Sequence, residues 1–219
     1  MILLGIGAFT GCGQHEIDIN NLLIEYRQTL YVAEDSIYQA TLSTGMREQE
    51  YNFDGIVGEM IPFAVLTIAR MDNNPLANDQ YKYLVTIGDD HYTGFLSKTT
   101  NENSYSVDIQ VAIPTDAVVD VQITFTGYSF HKELSNVSKE FAIDSMTAIT
   151  IANQELQSDL QNLSSDKNNK LEAIIKLLKD HSNSEIKSYY YYIGVLSTSG
   201  ETLGILIDAN TGNIIAKKI

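Results

Sequence analysis

The segment Tyr105-Ser-Val-Asp-Ile-Gln-Val-Ala-Ile113 puts Tyr105, Val107, Ile109, Val111 and Ile113 on one face and keeps the other face polar until Ala112. Successive strand side chains point to opposite faces, so this period-two pattern describes a half-buried strand. The pattern recurs on both sides. Residues 118–125 place Val119, Val121, Ile123 and Phe125 in register after a Pro114-Thr-Asp turn. Residues 62–70 are apolar on both faces, as in a central strand. Residues 81–88 and 92–96 flank Asp89-Asp90-His91 as a hairpin would, and residues 28–33 are rich in β-formers. Between residues 24 and 130 no stretch has helical period. Short strands at turn spacing predict an all-β, immunoglobulin-like sandwich over residues 24–130.

The pattern changes beyond Phe130. Residues 131–140 read as a polar connector. Asp144 or Ser145 suits a helix N-cap, and Ile149, Ala152, Leu156, Leu160 and Leu163 then recur every three or four residues, predicting a helix to about Ser164. A second helix is expected over about 168–181, with Leu171, Ile174, Ile175 and Leu178 on one face. The end is β again: residues 186–196 with the run Tyr189-Tyr-Tyr-Tyr192, a turn at Ser197–Gly200, a strand over 203–208, a turn at Asp208–Asn213, and residues 214–216. The predicted fold class is therefore mainly β plus α+β, with a β-sandwich followed by a small α+β domain over residues 141–219. A chain starting near Phe141 is expected to fold alone.

Residues 141–219 resemble the PepSY family of bacterial secreted and membrane-associated proteins. The features that carry the resemblance are the helix at Met146-Thr-Ala-Ile-Thr-Ile-Ala152, the paired strands, and the closing Leu206-Ile-Asp-Ala-Asn-Thr-Gly-Asn-Ile-Ile215. The family is associated with protease propeptides and with modulation of peptidase activity at the cell surface, so the resemblance implies an inhibitory or chaperoning fold and carries no catalytic residues. Asp208 and Gly212 match its closing motif and read as turn formers.

At the other end, Cys12 is the only cysteine and follows a short apolar run. Such a run is too short for a transmembrane helix and fits the hydrophobic core of an export signal. Phe9-Thr10-Gly11-Cys12 resembles the lipobox of bacterial lipoproteins. That resemblance implies a leader over residues 1–12, with Phe9, Thr10 and Gly11 as the lipobox and Cys12 as the acylated residue. The protein would then sit outside the cytoplasm, anchored to the cell membrane by lipid, with an envelope protein or peptidase as possible partner.

Net charge is −14, with five Lys/Arg against 17 Asp/Glu up to Phe130 and nine against 11 beyond it. Such a surface repels a phosphate backbone, which argues against nucleic-acid binding. His15, His91, His131 and His181 show no metal-ligand spacing, and no nucleophile elbow or phosphate-binding loop is present. No catalytic residue, metal or cofactor is assigned, and the leading expectation is a lipid-anchored binding or structural protein of the envelope, not an enzyme. Two alternatives stand beside it. One is a modulator of a secreted peptidase; the other is a hydrolase built from carboxylates far apart in sequence, whose mark would be a cleft holding two close carboxyls with raised pKa.

Overall fold

The computed structural model describes residues 16–219 apart from 73, 75, 101, 102, 142, 167 and 180–187. The leader and the lipobox residues Phe9, Thr10, Gly11 and Cys12 lie outside the described residues. The elements run β1 (Leu23–Glu34), β2 (Tyr38–Glu48), β3 (Met60–Arg70), β4 (Tyr81–Ile87), β5 (Asp90–Lys98), β6 (Ser104–Ile109), β7 (Val119–Phe125), β8 (Tyr128–Asn136), α1 (Ser145–Leu163), β9 (Leu171–Lys179), β10 (Tyr189–Ser197), β11 (Thr202–Asp208) and β12 (Ile214–Lys218).

The first eight strands hydrogen-bond in the order β1-β2-β3-β6-β5-β4-β7-β8, and β8 returns to β1 through Tyr31↔Asn136 and Val32↔Ser135. That last pairing closes a barrel. The sandwich expectation is corrected here: alternation along a strand is the same in both architectures, and only the pairing of the first strand with the last distinguishes them. Nor does a separate α+β domain follow, because β9 pairs in parallel with the start of β1 and β10, β11 and β12 continue the same sheet outward.

β1 is long enough to serve both bodies. Its residues Leu23–Arg27 pair with β9, and Tyr31 and Val32 pair with β8. The register on β2 slips between Arg27 and Thr29, a bulge at the point where β1 changes neighbour. The alternation beyond the bulge divides two cores. Tyr31 points into the barrel among Leu42, Leu66, Tyr81, Ile123 and Phe130. Leu30 and Val32 point outward, into the layer between α1 and the side sheet. The barrel is filled by aromatic rings: Tyr81 lies 4.3 Å from Tyr105 and 4.5 Å from Phe125, centroid to centroid. The Tyr31 hydroxyl donates to the Pro114 carbonyl at 2.9 Å, so its polar end is satisfied.

α1 matches its sequence pattern closely. The Asp144 side chain accepts from the Thr147 amide at 2.8 Å as N-cap. Ala148, Ile149, Ala152, Leu156 and Leu160 form its buried stripe. They cover the odd-numbered face of the side sheet, which includes Ala173, Ile175, Tyr191, Ile193, Val195 and Ile205. Asp208 accepts from the Asn210 and Thr211 amides, and Gly212 sits at φ 73° in the β11–β12 turn.

The expected second helix over 168–181 is strand β9 instead. Leu171, Ala173, Ile175 and Leu177 are buried on one face, a period-two set that coexists in the sequence with the helical one. A short apolar run satisfies both periods, and the unpaired edges of β1 and β10 select the strand. The expected connector over 131–140 likewise begins as β8. Among the described residues no helix is long and apolar enough to cross a membrane.

Candidate functional site

Ordinary glutamates end β2 and begin β9. Glu48 is the last residue of β2, and Glu172, second in β9, projects from the sheet face opposite α1. Both side chains are buried, with Glu48 7% and Glu172 1% exposed. The residue 49–59 loop between β2 and β3 is fastened over them by its backbone. The Gly58 amide donates to Glu48 Oε1 at 2.5 Å, and the Gly55 amide donates to Glu172 Oε1 at 3.1 Å. Gly55 lies at φ 74°, and a Cβ there would fall 2.8 Å from Lys170 Cβ, so only glycine allows this approach.

Each carboxyl has one oxygen left over. Glu48 Oε2 and Glu172 Oε2 are buried and have no hydrogen-bond partner. Among the described residues no Lys, Arg or His pairs with either of them. Of the nearby cations, Arg47 pairs with Asp108, and Lys176 and Arg27 pair with Glu25 at 3.3 and 2.8 Å, while Lys170 packs its stem against Gly55. A buried carboxyl with an idle oxygen and no counter-charge is costly, and such groups concentrate at functional sites. Burial pushes the Glu172 carboxyl above its ordinary range; the Gly55 amide pulls it back in part, and the charge of Glu48 pushes it up again. The Tyr51 hydroxyl is raised as well, first by its desolvation and then by the charge of Glu172 and its hydrogen bond to that carboxyl.

Glu48 lines a cleft of about 450 Å³ together with Tyr51, Ile61, Ile174 and Leu196 and the charged Glu25 and Arg47. Ile174 and Leu196 also line a second, apolar hollow of about 280 Å³ on the open face of the side sheet, with Tyr192, Leu206 and Ala216. The two hollows therefore adjoin at Ile174 and Leu196, and together they make up the groove. Its apolar floor owes its depth to two glycines paired across β10 and β11, Gly194 and Gly204. A Cβ on Gly194 would lie 2.7 Å from the Tyr192 hydroxyl, so the Tyr192 ring lies down over the sheet only because this position has no side chain. At the acidic end the loop exposes Tyr51 and Ile56, at 59% and 71%, and the Tyr51 and Phe53 rings stack at 6.4 Å. A depression of about 500 Å³ beside the end of α1 lacks comparable chemistry, because its carboxylates are partnered: Asp159 faces Lys217 at 3.1 Å, and Glu201 accepts from the Ser199 hydroxyl at 3.1 Å.

Neither Glu48 nor Glu172 stands out in the sequence. The one signal is the placement of Glu172 inside an apolar run, which a strand reading would have put beside Ile174 on an open face. Asp89, Asp90 and His91 lie at the exposed β4–β5 turn. Among the described residues no group of three or more His, Cys, Asp or Glu could hold a metal ion. No family model, curated protein or solved structure matches this chain.

The raised Glu172 carboxyl has a defined thermodynamic consequence. Its folded form holds a proton more tightly than its unfolded form, so the folded state binds more protons just above the ordinary glutamate range. Stability therefore falls as pH rises through that interval. Glu172→Gln keeps the acceptor for Gly55 and removes the charge. It is expected to melt about 2–4 °C above the parent at pH 8, with the difference shrinking towards pH 4. Calorimetry at the two pH values checks this; a variant melting below the parent at pH 8 would show the charge to be stabilising.

Proposed function

We propose that this protein is a lipid-anchored binding protein of the bacterial cell envelope that holds a segment of a peptide or partner protein in the groove between the 49–59 loop and the open face of β9, β10 and β11. The observation that carries the reading is the groove itself: an apolar floor leading to Glu48, with Glu172 buried nearby, two carboxyls that no Lys, Arg or His among the described residues pairs with. A groove of this kind matches an extended segment with apolar side chains better than it matches a small polar metabolite. The anchor reading rests on the lipobox-like Phe9-Thr10-Gly11-Cys12. A peptidase is one partner compatible with the PepSY resemblance.

The test has two arms. Cys12→Ser is expected to move the protein from the membrane pellet to the soluble fraction of the native cells; continued sedimentation would remove the anchor. Random peptides selected on the intact protein are expected to lose binding on Leu196→Lys, in the groove, and to keep it on Phe95→Ala, on the exposed barrel surface. Equal binding to both variants would place the ligand elsewhere.

A second reading has its own observation. Glu172, raised in pKa and next to the Glu48 charge, has the character of a general acid beside a second carboxyl. In a hydrolase using this pair, Glu172→Gln abolishes turnover. In a binding protein it changes only affinity.

A further inference from the structure

We infer that the Glu48–Glu172 pair is the receiving site for a basic side chain, arginine or lysine, of the segment bound in the groove. This rests on the reading of the groove as a peptide site and adds the chemical class of its anchoring residue.

Three observations converge. Each carboxyl already spends Oε1 on a loop amide, Gly58 for Glu48 and Gly55 for Glu172, which fixes the carboxyl planes in advance. Each leaves Oε2 buried without a close hydrogen bond; Glu48 lines the cleft, and Glu172, which is not among the cleft walls, interacts with the hydroxyl of Tyr51, which is. Two local cations that could have filled the gap are held by other acids, Arg47 by Asp108 and Lys176 by Glu25, and Lys170, whose stem packs on Gly55, pairs with neither carboxyl. A cationic group with several N–H donors supplies what the site lacks: hydrogen bonds to two acceptors and a positive charge to offset two negative ones. An anion or a neutral acceptor supplies neither. The long-range field has the same sense, since a chain of net charge −14 attracts a basic segment before contact.

Entry is through the 49–59 loop. Its Gly58 and Gly55 amides bind the two carboxyls, and its Gln49 and Tyr51 line the cleft. The aliphatic stem of Arg or Lys suits such a wall, with the charged head beyond it. The neighbouring residues of the segment then lie along Ile174, Leu196 and Tyr192.

The experiment uses two synthetic peptides titrated calorimetrically into the intact protein at pH 7. One is acetyl-Leu-Arg-Leu-Leu-amide. The other carries citrulline in place of arginine, which keeps the shape and removes the charge. The arginine peptide is expected to bind about tenfold tighter or better. The preference is expected to vanish in the Glu48→Gln/Glu172→Gln double variant, which keeps its affinity for the citrulline peptide. Equal affinity of the two peptides for the parent protein overturns the cation site and leaves the groove reading standing, and this comparison needs no variant to fold. A preference for arginine that survives the double variant also overturns it, by locating the charge recognition elsewhere. Failure of both peptides to bind overturns the groove reading and the cation site with it.

Discussion

A Gly45→Ala variant is expected to lose about 3 kcal/mol or more of folding stability, a drop of roughly 6–12 °C in Tm. Gly45 lies on β2 opposite Arg27, at the edge of the β1 bulge. A methyl group there would be placed 1.7 Å from the Tyr26 carbonyl oxygen and 2.9 Å from Arg27 Cα. Both obstacles are backbone atoms of β1, so no rotamer change relieves the clash and the two strands must separate. The consequence is more than local. The bulge is where β1 stops pairing with β9 and turns to β8, so separating the strands there loosens barrel closure and side-sheet attachment together. Gly88→Ala serves as the control. Gly88 lies at φ 60° with open space around its Cβ position, so its cost is conformational only, about 1 kcal/mol. Thermal unfolding of the two variants checks the pair; a Gly45→Ala protein melting within 2 °C or so of the parent would falsify the close-approach argument.

The fragment 141–219 is expected to show no cooperative thermal transition when expressed alone. Sequence reasoning expected the opposite, because two helices and three strands look self-sufficient. The shared strand reverses that expectation. The core under α1 includes Ile19, Leu30 and Val32 from the N-terminal region, with Leu22, Leu23 and Tyr26 packed against it. Removing residues 1–140 uncovers that apolar surface and leaves the inner edge of β9 unpaired, with the main-chain donors and acceptors that β1 had satisfied between Leu23 and Arg27. A synthetic peptide covering residues 16–34, added in trans, is expected to restore a sigmoidal melt. A sharp transition in the fragment without the peptide would show that the side sheet needs no strand from the barrel.

How far the sequence could be read varies by element, for physical reasons. α1 was legible almost to the residue because it carries a capping side chain and a complete apolar stripe, both local properties. The strands with a clean alternation, β6 and β7, were legible for the same reason, as was the glycine turn before β12. β9 was not, because Leu171-Glu-Ala-Ile-Ile-Lys-Leu-Leu-Lys meets the helical and the extended period at once, and local preference does not separate them. β2 escaped notice because its Ser43, Thr44 and Gly45 dilute the β-former signal just where the bulge of β1 requires small residues. The candidate site was illegible as a site. Glu48 and Glu172 lie far apart in the chain, and neither belongs to a motif; they become a pair only when β2 and β9 flank the same strand, β1.

The sequence by itself determined that most of this chain is extended, that one helix packs by a single stripe, and where the glycine turns fall, because each depends on residues within a few positions of one another. Tertiary structure alone decided that the strands close into a barrel, that one strand serves two cores, and that two carboxyls are buried under a loop with no ion-pair partner among the described residues. Those outcomes follow from which hydrogen-bonding edges find each other across the whole chain, and no local pattern records that choice.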